Sequence, residues 1–388
     1  MKVLVLDAEQ RSALAATRSL GRVPELEVTT AGSASVALAG CSRFSSRYLQ
    51  SPNPEREPQA YLAWLKAVVA QTPFAMVLPM TEITSQLLLM NSEHLPGVHL
   101  PFAPYRTVMT LADKGQLTSC AKRLNIPVPD SQWYRCAAEL EAATLSYPLV
   151  LKPCLSKIYS QGRWIATRVR ILRSSEDLSR ELQASPYLHD HPFMLQEFIP
   201  GKGAGVFCLY DRGQPVAFFA HRRLREKPPE GGVSVLSESV EVEPLMREYA
   251  VKLLDAARWH GAAMVEFRMS PEGVPYLMEI NTRFWGSLQL AIDAGVDFPK
   301  LLWGIEQRLP LDGQEGYRIG QRLRWFLGDV DGLYIYLKGP YRRREKLLRI
   351  MQFLRPHLRH SRCEINRLGD MRPAWHELKL YVQALVGR

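Results

Sequence analysis

The 388-residue chain is 46% hydrophobic and 23% charged, a composition with room for a core and for two or three domains. It has no run of about 18 apolar residues, which disfavours a membrane-spanning helix, and no early stretch built like a secretory leader, so a cytoplasmic protein is expected. Six scattered cysteines with no C-x-x-C pair argue against zinc spacing and a disulfide framework, and most of the net charge of +10 sits in Lys338 to Arg388, where thirteen Lys or Arg face four acidic residues for a net +9.

The first segment reads as α/β. Lys2 to Leu6 has the continuous apolar character of a buried parallel strand, and Arg11 to Leu20 suits a helix ended near Gly21. Leu26 to Thr30 reads as a strand, Tyr61 to Ala70 as a helix, Phe74 to Pro79 as a strand and Thr84 to Met90 as a helix. This alternation predicts a doubly wound sheet, in which ligands sit beyond the carboxyl ends of the strands, where Asp7, Thr81 and Glu82 fall. The absence of G-x-G-x-x-G disfavours a nicotinamide-binding domain. Pro52, Pro54 and Pro58 mark an exposed loop.

A helix between Leu111 and Pro129 is stopped by Asn125-Ile126-Pro127-Val128-Pro129. Leu149-Val150-Leu151-Lys152 and the alternating Ile165 to Ile171 read as strands, and Ser175 to Gln183 as a short helix, together a small α+β unit and a candidate lid. Gln196-Glu197-Phe198-Ile199 ends a further strand at Pro200-Gly201. Strands follow over Val206 to Tyr210 and Pro215 to Ala220, then a helix from Pro244 to His260. Between them His221-Arg222-Arg223-Leu224-Arg225-Glu226 leads into a Pro- and Gly-rich stretch ending at Ser234, a cationic, flexible segment complementary to an acidic substrate.

The most informative stretch is Ala262 to Gly286. Ala263 to Arg268 and Val274 to Asn281 form two strands joined by the turn Ser270-Pro271-Glu272-Gly273. If Ser270 pairs with Gly273, Glu266 lies opposite Leu277 with Glu279 as diagonal neighbour; with a longer loop Glu266 faces Glu279 directly. In both registers the two carboxylates share one face, roughly 5–8 Å apart at Cβ. Asn281 and Arg283 continue that face, and Met278 and Ile280 are expected on the opposite, core side. Carboxylates that close call for a cation, and a hard divalent ion with Asn281 as a neutral oxygen ligand fits. Arg283 would meet the charge of a transferred phosphoryl group or tetrahedral intermediate. Lys152 inside an apolar strand, and Lys114 at a helix start, are the candidate cations for nucleotide phosphates.

In order, Asp113-Lys114, Leu151-Lys152-Pro153, Gln196-Glu197-Phe198-Ile199, Val265-Glu266-Phe267 and Met278-Glu279-Ile280-Asn281-Thr282-Arg283 resemble the ATP-grasp superfamily, in particular the branch of biotin carboxylase and the large chain of carbamoyl phosphate synthetase. The resemblance covers roughly residues 1 to 310 and implies a Rossmann-like pre-ATP-grasp domain over 1–112, a small lid subdomain over 113–196, a large subdomain carrying the metal site over 197–320, and a basic, mainly helical extension over 321–388. It further implies that Lys114 and Lys152 contact ATP phosphates, that Glu197, Phe198 and Ile199 hold the adenine and ribose, and that Glu266, Glu279 and Asn281 bind one or two Mg²⁺, with Mn²⁺ as a substitute. Arg283 would stabilise an acyl phosphate, with ADP and phosphate released. The loop after Lys152, Cys154 to Gly162, departs from glycine-rich relatives by holding one glycine, which leaves Ser156, Lys157 and Ser160 to cover the phosphates.

The function expected is a carboxylate–amine ligase with small-molecule substrates. The alternatives are a bicarbonate-using carboxylase or carbamoyl-phosphate-type enzyme, and a non-catalytic ATP-binding scaffold. Thr81, Glu82, Arg222, Arg225 and Ser234 are the expected substrate contacts. Arg342 to Leu354 is basic and amphipathic, suited to packing on the core, to an anionic membrane surface or to a protein partner; no nucleic-acid recognition module is visible.

Overall fold

The computed structural model describes residues 1–140, 146–229, 231–311, 316–354 and 360–386. The chain opens on four parallel strands in the order Arg47–Gln50, Glu27–Gly32, Lys2–Val5, Met76–Leu78. The helix Arg11–Leu20 is buried along almost its whole length because it is sandwiched: it packs on this sheet and on the helices Leu288–Ala294 and Phe298–Glu306. One apolar cluster therefore runs from Val3 and Val5 through Leu14 to Leu290 and Phe298, welding the first segment to the middle of the chain.

The expected helix after Leu111 is two helices, Tyr105–Ala112 and Lys114–Arg123. Asp113 separates them in an extended conformation, its carboxylate accepting from Gln116 N at 2.9 Å as an N-cap. The cap starts the second helix at Lys114 and so sets where that lysine points. A small antiparallel sheet follows, in the order Ser131–Tyr134, Phe193–Glu197, Leu149–Pro153, Arg170–Leu172. The alternating run from Ile165 to Ile171 is not one strand. Ile165 lies in a hairpin of Lys157–Ser160 against Arg163–Ala166, and Ile171 belongs to the small sheet. Gln161 and Gly162 turn that hairpin with φ of 49° and 78°, the left-handed pair a two-residue type I′ turn requires.

A seven-stranded sheet forms the rest, in the order Pro275–Asn281, Gly261–Met269, Lys202–Asp211, Gln214–Lys227, Val233–Val240, Arg322–Arg324, Ser361–Cys363. Two sequence expectations change here. The cationic stretch from His221 to Glu226 is ordered strand, continuing Pro215–Ala220 to Lys227. The C-terminal segment, with helices Phe326–Lys338, Arg343–Leu354 and Arg372–Val386, also contributes two strands to the edge of this sheet. No helix among the described residues is long and apolar enough to cross a membrane.

Candidate active site

In the hairpin of Gly261–Met269 and Pro275–Asn281, Glu266 pairs directly with Glu279, Val265 with Ile280 and Met264 with Asn281. The register then slips by one residue, and Phe267 pairs with Leu277. This bulge leaves Met278 unpaired and corrects the expectation that it packs into the core. Leu277 and Ile280 both reach the core, whereas Met278 is half-buried with its sulfur 3.5 Å from Lys152 Nζ. The two glutamates stand side by side at the mouth of the sheet, and Asn281 Nδ2 spans them at 3.3 Å from Glu266 and 3.4 Å from Glu279.

Cations close on this pair from three directions. Lys114, 4% exposed, places Nζ 3.4 Å from Glu279 Oε2 and donates to Ser156 Oγ at 2.9 Å. Lys152 is buried in the small sheet, so its ammonium leaves the apolar strand only at the site. Arg223 reaches Glu266 at 3.4 Å from two strands away; Gly205, which pairs with Glu266 on the strand between, offers no side chain to block it.

Burial, and then the charge of Glu279, raise the Glu266 carboxyl to about 7. Burial also works against ionisation of Glu279, but Lys114, Lys152 and the Asn281 amide outweigh it and hold that carboxyl low. Burial drops Lys152 to about 8, an effect Glu279 partly offsets. The pair is thus a crowded acidic site that would ionise fully with more positive charge. The donor set passes the test for a magnesium-type ion: two carboxylates in register, a neutral amide between them that can turn its oxygen inward, and no enclosing cage. Among the described residues no three His, Cys, Asp or Glu gather as a metal site, and this one offers two carboxylates and an amide.

Two connected hollows adjoin the hairpin. A cleft of about 540 Å³ lies between the carboxyl ends of the first sheet and the site, lined among others by Asp7, Arg11, Thr81, Glu82, Lys157 and Arg283. A recess of about 210 Å³ is lined by Arg11, His221, Arg223, Ser234, Glu266 and Arg283, with Asn281, Trp285 and Ser287 completing it. Arg283 borders both, its guanidinium donating to Phe284 O at 2.9 Å. Thr81 is at the cleft but serves as a helix cap, accepting from Thr84 N at 3.2 Å, while Glu82 faces the space, its carboxyl raised by burial and opposed by Arg283. Asp7 is a strut, bonded to Met80 N, Thr81 N and Thr84 Oγ1. The proline-marked loop is not the exposed one expected: Pro52 and Pro54 are half-buried and Pro58 is buried as the first residue of the helix Pro58–Gln71, while Asn53, Pro54 and Glu55 line the cleft and Glu55 pairs with Lys157 of the hairpin at 3.1 Å.

The structure does not bring Arg222 and Arg225 to this space. Arg222 turns to the other side of its strand and binds Glu238, and Arg225 is buried against Asp329 at 2.7 Å. Arg223 and His221 take the position expected of them, two residues apart on the strand face that Glu266 shares. Reading His221 to Lys227 as strand rather than loop would have revealed this parity. His221 stacks on Phe207 and meets Ser287 Oγ at 2.8 Å; burial, and then Arg223, push its imidazole down to about 3. Glu197 is the exposed last residue of the strand Phe193–Glu197, Phe198 is half-buried, and Ile199 O accepts from Arg268 Nε at 2.8 Å, so the three lead from the small sheet to the large one.

Residues 189–318 match the family model described as ATP-grasp in the biosynthetic pathway with Ter operon. The L-amino acid ligase of Bacillus licheniformis superposes with a TM-score of 0.62 at 19% identity, over 81% of this chain and 76% of that one. The chain has the ATP-grasp fold. Other ATP-grasp structures align as widely. The biotin carboxylase domain of Hydrogenobacter thermophilus 2-oxoglutarate carboxylase, solved with MgADP and bicarbonate, gives a TM-score of 0.64 at 18% identity over 83% of this chain and 73% of that one. N5-carboxyaminoimidazole synthase of Aspergillus clavatus, in complex with ADP and 5-aminoimidazole ribonucleotide, gives 0.60 at 17% over 83% and 80%. No curated protein matches the chain. Within the ATP-grasp architecture, the small and large sheets described above face each other across Lys114, Lys152 and the glutamate pair.

Proposed function

We propose that this protein is an ATP- and Mg²⁺-dependent ligase that activates a carboxylate as an acyl phosphate, releases ADP and phosphate, and passes the acyl group to an amine. The observation that carries this reading is the in-register Glu266–Glu279 pair, bridged by Asn281 and flanked by Lys114 and Lys152, beside a cleft that holds Arg283. Lys114 and Lys152 would bind the ATP phosphates, with the Ser156 hydroxyl and the hairpin behind it as cover. Glu197, Phe198 and Ile199 would hold the adenine and ribose at the crossing between sheets. Glu266, Glu279 and Asn281 would hold one or two magnesium ions, which would supply charge neutralisation to the nucleotide phosphates.

Phosphoryl transfer needs positioning and positive charge more than a covalent partner from the protein. Arg283, bordering both hollows, is suited to hold the acyl phosphate and then the tetrahedral species formed as the amine attacks. Thr81 and Glu82 would shape the substrate side of the 540 Å³ cleft and Ser234 that of the adjoining recess. Arg11, Arg223 and His221 would complete the recess, in place of Arg222 and Arg225. The domain boundaries proposed are those of the sequence, with the C-terminal segment closing the large sheet.

The test is a screen of acids and amines coupled to ADP formation. An acid- and amine-dependent release of ADP that Glu279→Gln abolishes supports the reading. ADP release tied to bicarbonate alone would replace it with a carboxylase, and nucleotide binding without turnover across a broad panel would replace it with a non-catalytic ATP-binding protein.

A further inference from the structure

The helix Arg343–Leu354 turns most of its apolar residues away from the protein. The side it turns to the protein carries Phe353, packed on Phe326 and under the Arg324 guanidinium, and Arg349, 9% exposed and paired at 3.0 Å with Asp329, itself fully buried and also held by Arg225 and Arg324. The side it turns outward carries Leu347, Leu348, Met351 and Leu354, exposed by 59%, 47%, 59% and 69%. These residues occupy one helical face, which the exposed Arg343 and Arg344 continue toward the helix start. The buried ion pair and Phe353 thus hold the helix so that its larger apolar row meets solvent rather than the core. The last helix, Arg372–Val386, repeats the pattern: only Pro373 and Ala374 are buried, whereas Trp375, Leu378, Val382 and Leu385 follow one another at helical spacing on an exposed face beside Lys379.

We propose that these two faces dock the protein on an anionic lipid bilayer. Charge selects the occupant. The exposed apolar row ends in Arg342, Arg343 and Arg344, none of which makes an ion pair among the described residues, within a segment of net charge +9. A second copy of this chain would bring the same cationic surface against itself, whereas phosphate-bearing lipid headgroups neutralise it as the leucines, methionine and tryptophan enter the headgroup boundary. The exposed tryptophan is the residue type that settles at such a boundary. The surface uses no residue of the nucleotide cleft, so the inference stands or falls independently of the proposed reaction.

The experiment is flotation of the full-length protein with vesicles of phosphatidylcholine mixed with phosphatidylglycerol, and with vesicles of phosphatidylcholine alone. The protein should float with the mixed vesicles and not with the neutral ones. Leu347→Ser with Met351→Ser, which keeps every charge, should lower partitioning at least about tenfold. Arg343→Gln and Arg344→Gln should each weaken it about fivefold. All four positions are exposed, and circular dichroism checks that the variants fold. Failure to float with the mixed vesicles overturns the proposal. So does binding that Leu347→Ser with Met351→Ser leaves unchanged, since that is charge attraction without the apolar face. A dimer in sedimentation equilibrium that the same double variant dissociates, without vesicle binding, reassigns the face to self-association and equally overturns it.

Discussion

At the scale of single residues, the site is built from groups that are unfavourable alone. Glu266 beside Glu279, and Lys152 in a buried strand, each cost free energy that the other groups and a nucleotide–metal ligand would return. Arg283 separates binding from chemistry. Arg283→Ala should leave ATP affinity within about twofold of wild type while lowering turnover about 10²–10³-fold in the coupled ADP assay. A collapse of ATP affinity would instead assign Arg283 to binding or folding. His221 makes a pH prediction. Its folded-state value of about 3 lies below the ordinary 6.5, so the unfolded chain binds the proton that the folded one refuses. The stabilisation from neutral His221 is complete above pH 6.5 and is lost as pH falls toward 3. Urea unfolding between pH 7 and pH 4 should therefore show stability falling by up to about 1.4 kcal/mol per pH unit from this group, and His221→Gln should flatten that slope.

At the scale of elements, the parts of the site legible in the sequence were those set by strand parity. Glu266, Glu279, Asn281 and Arg283 could be placed on one face because two short strands flank an evident turn, and the longer-loop register is the one that forms at the glutamates. Met278 escaped because a bulge changes parity without any marker in the residue string. Arg223 and His221 escaped because a cationic, proline-followed stretch reads as loop, while the sheet accepts it as a strand whose arginines find Glu238, Glu266 and Asp329 on neighbouring elements. Those partners are distant in sequence, so no local pattern announces them. The join between the two sheets tests the element scale directly. Gly201 has φ of 131°, and a Cβ there would sit 1.9 Å from Met269 O. Gly201→Ala should destabilise the protein by at least about 1–3 kcal/mol from backbone strain, with the clash in addition, read as a lowered denaturant midpoint.

At the scale of the whole molecule, the C-terminal segment is a structural tie. Arg18, 2% exposed on the first helix, donates to Asp370 at 2.7 Å and to the carbonyls of Glu364 and Ile365, and Arg11 at the cleft pairs with Glu364. The first α/β unit, the large sheet and the last helices should therefore unfold together. Asp370→Ala, which strands a buried guanidinium, should cost about 3–5 kcal/mol in chemical denaturation, with the transition remaining single. The proposed chemistry rests on a divalent ion shared by Glu266 and Glu279 at the phosphates of a nucleotide. The most direct measurement is electron paramagnetic resonance of Mn²⁺ titrated into the protein with a non-hydrolysable ATP analogue. Wild type should bind the ion in a nucleotide-dependent manner, and Glu279→Gln should weaken that binding at least about tenfold; equal, nucleotide-dependent Mn²⁺ binding in the variant would contradict a metal site at the glutamate pair.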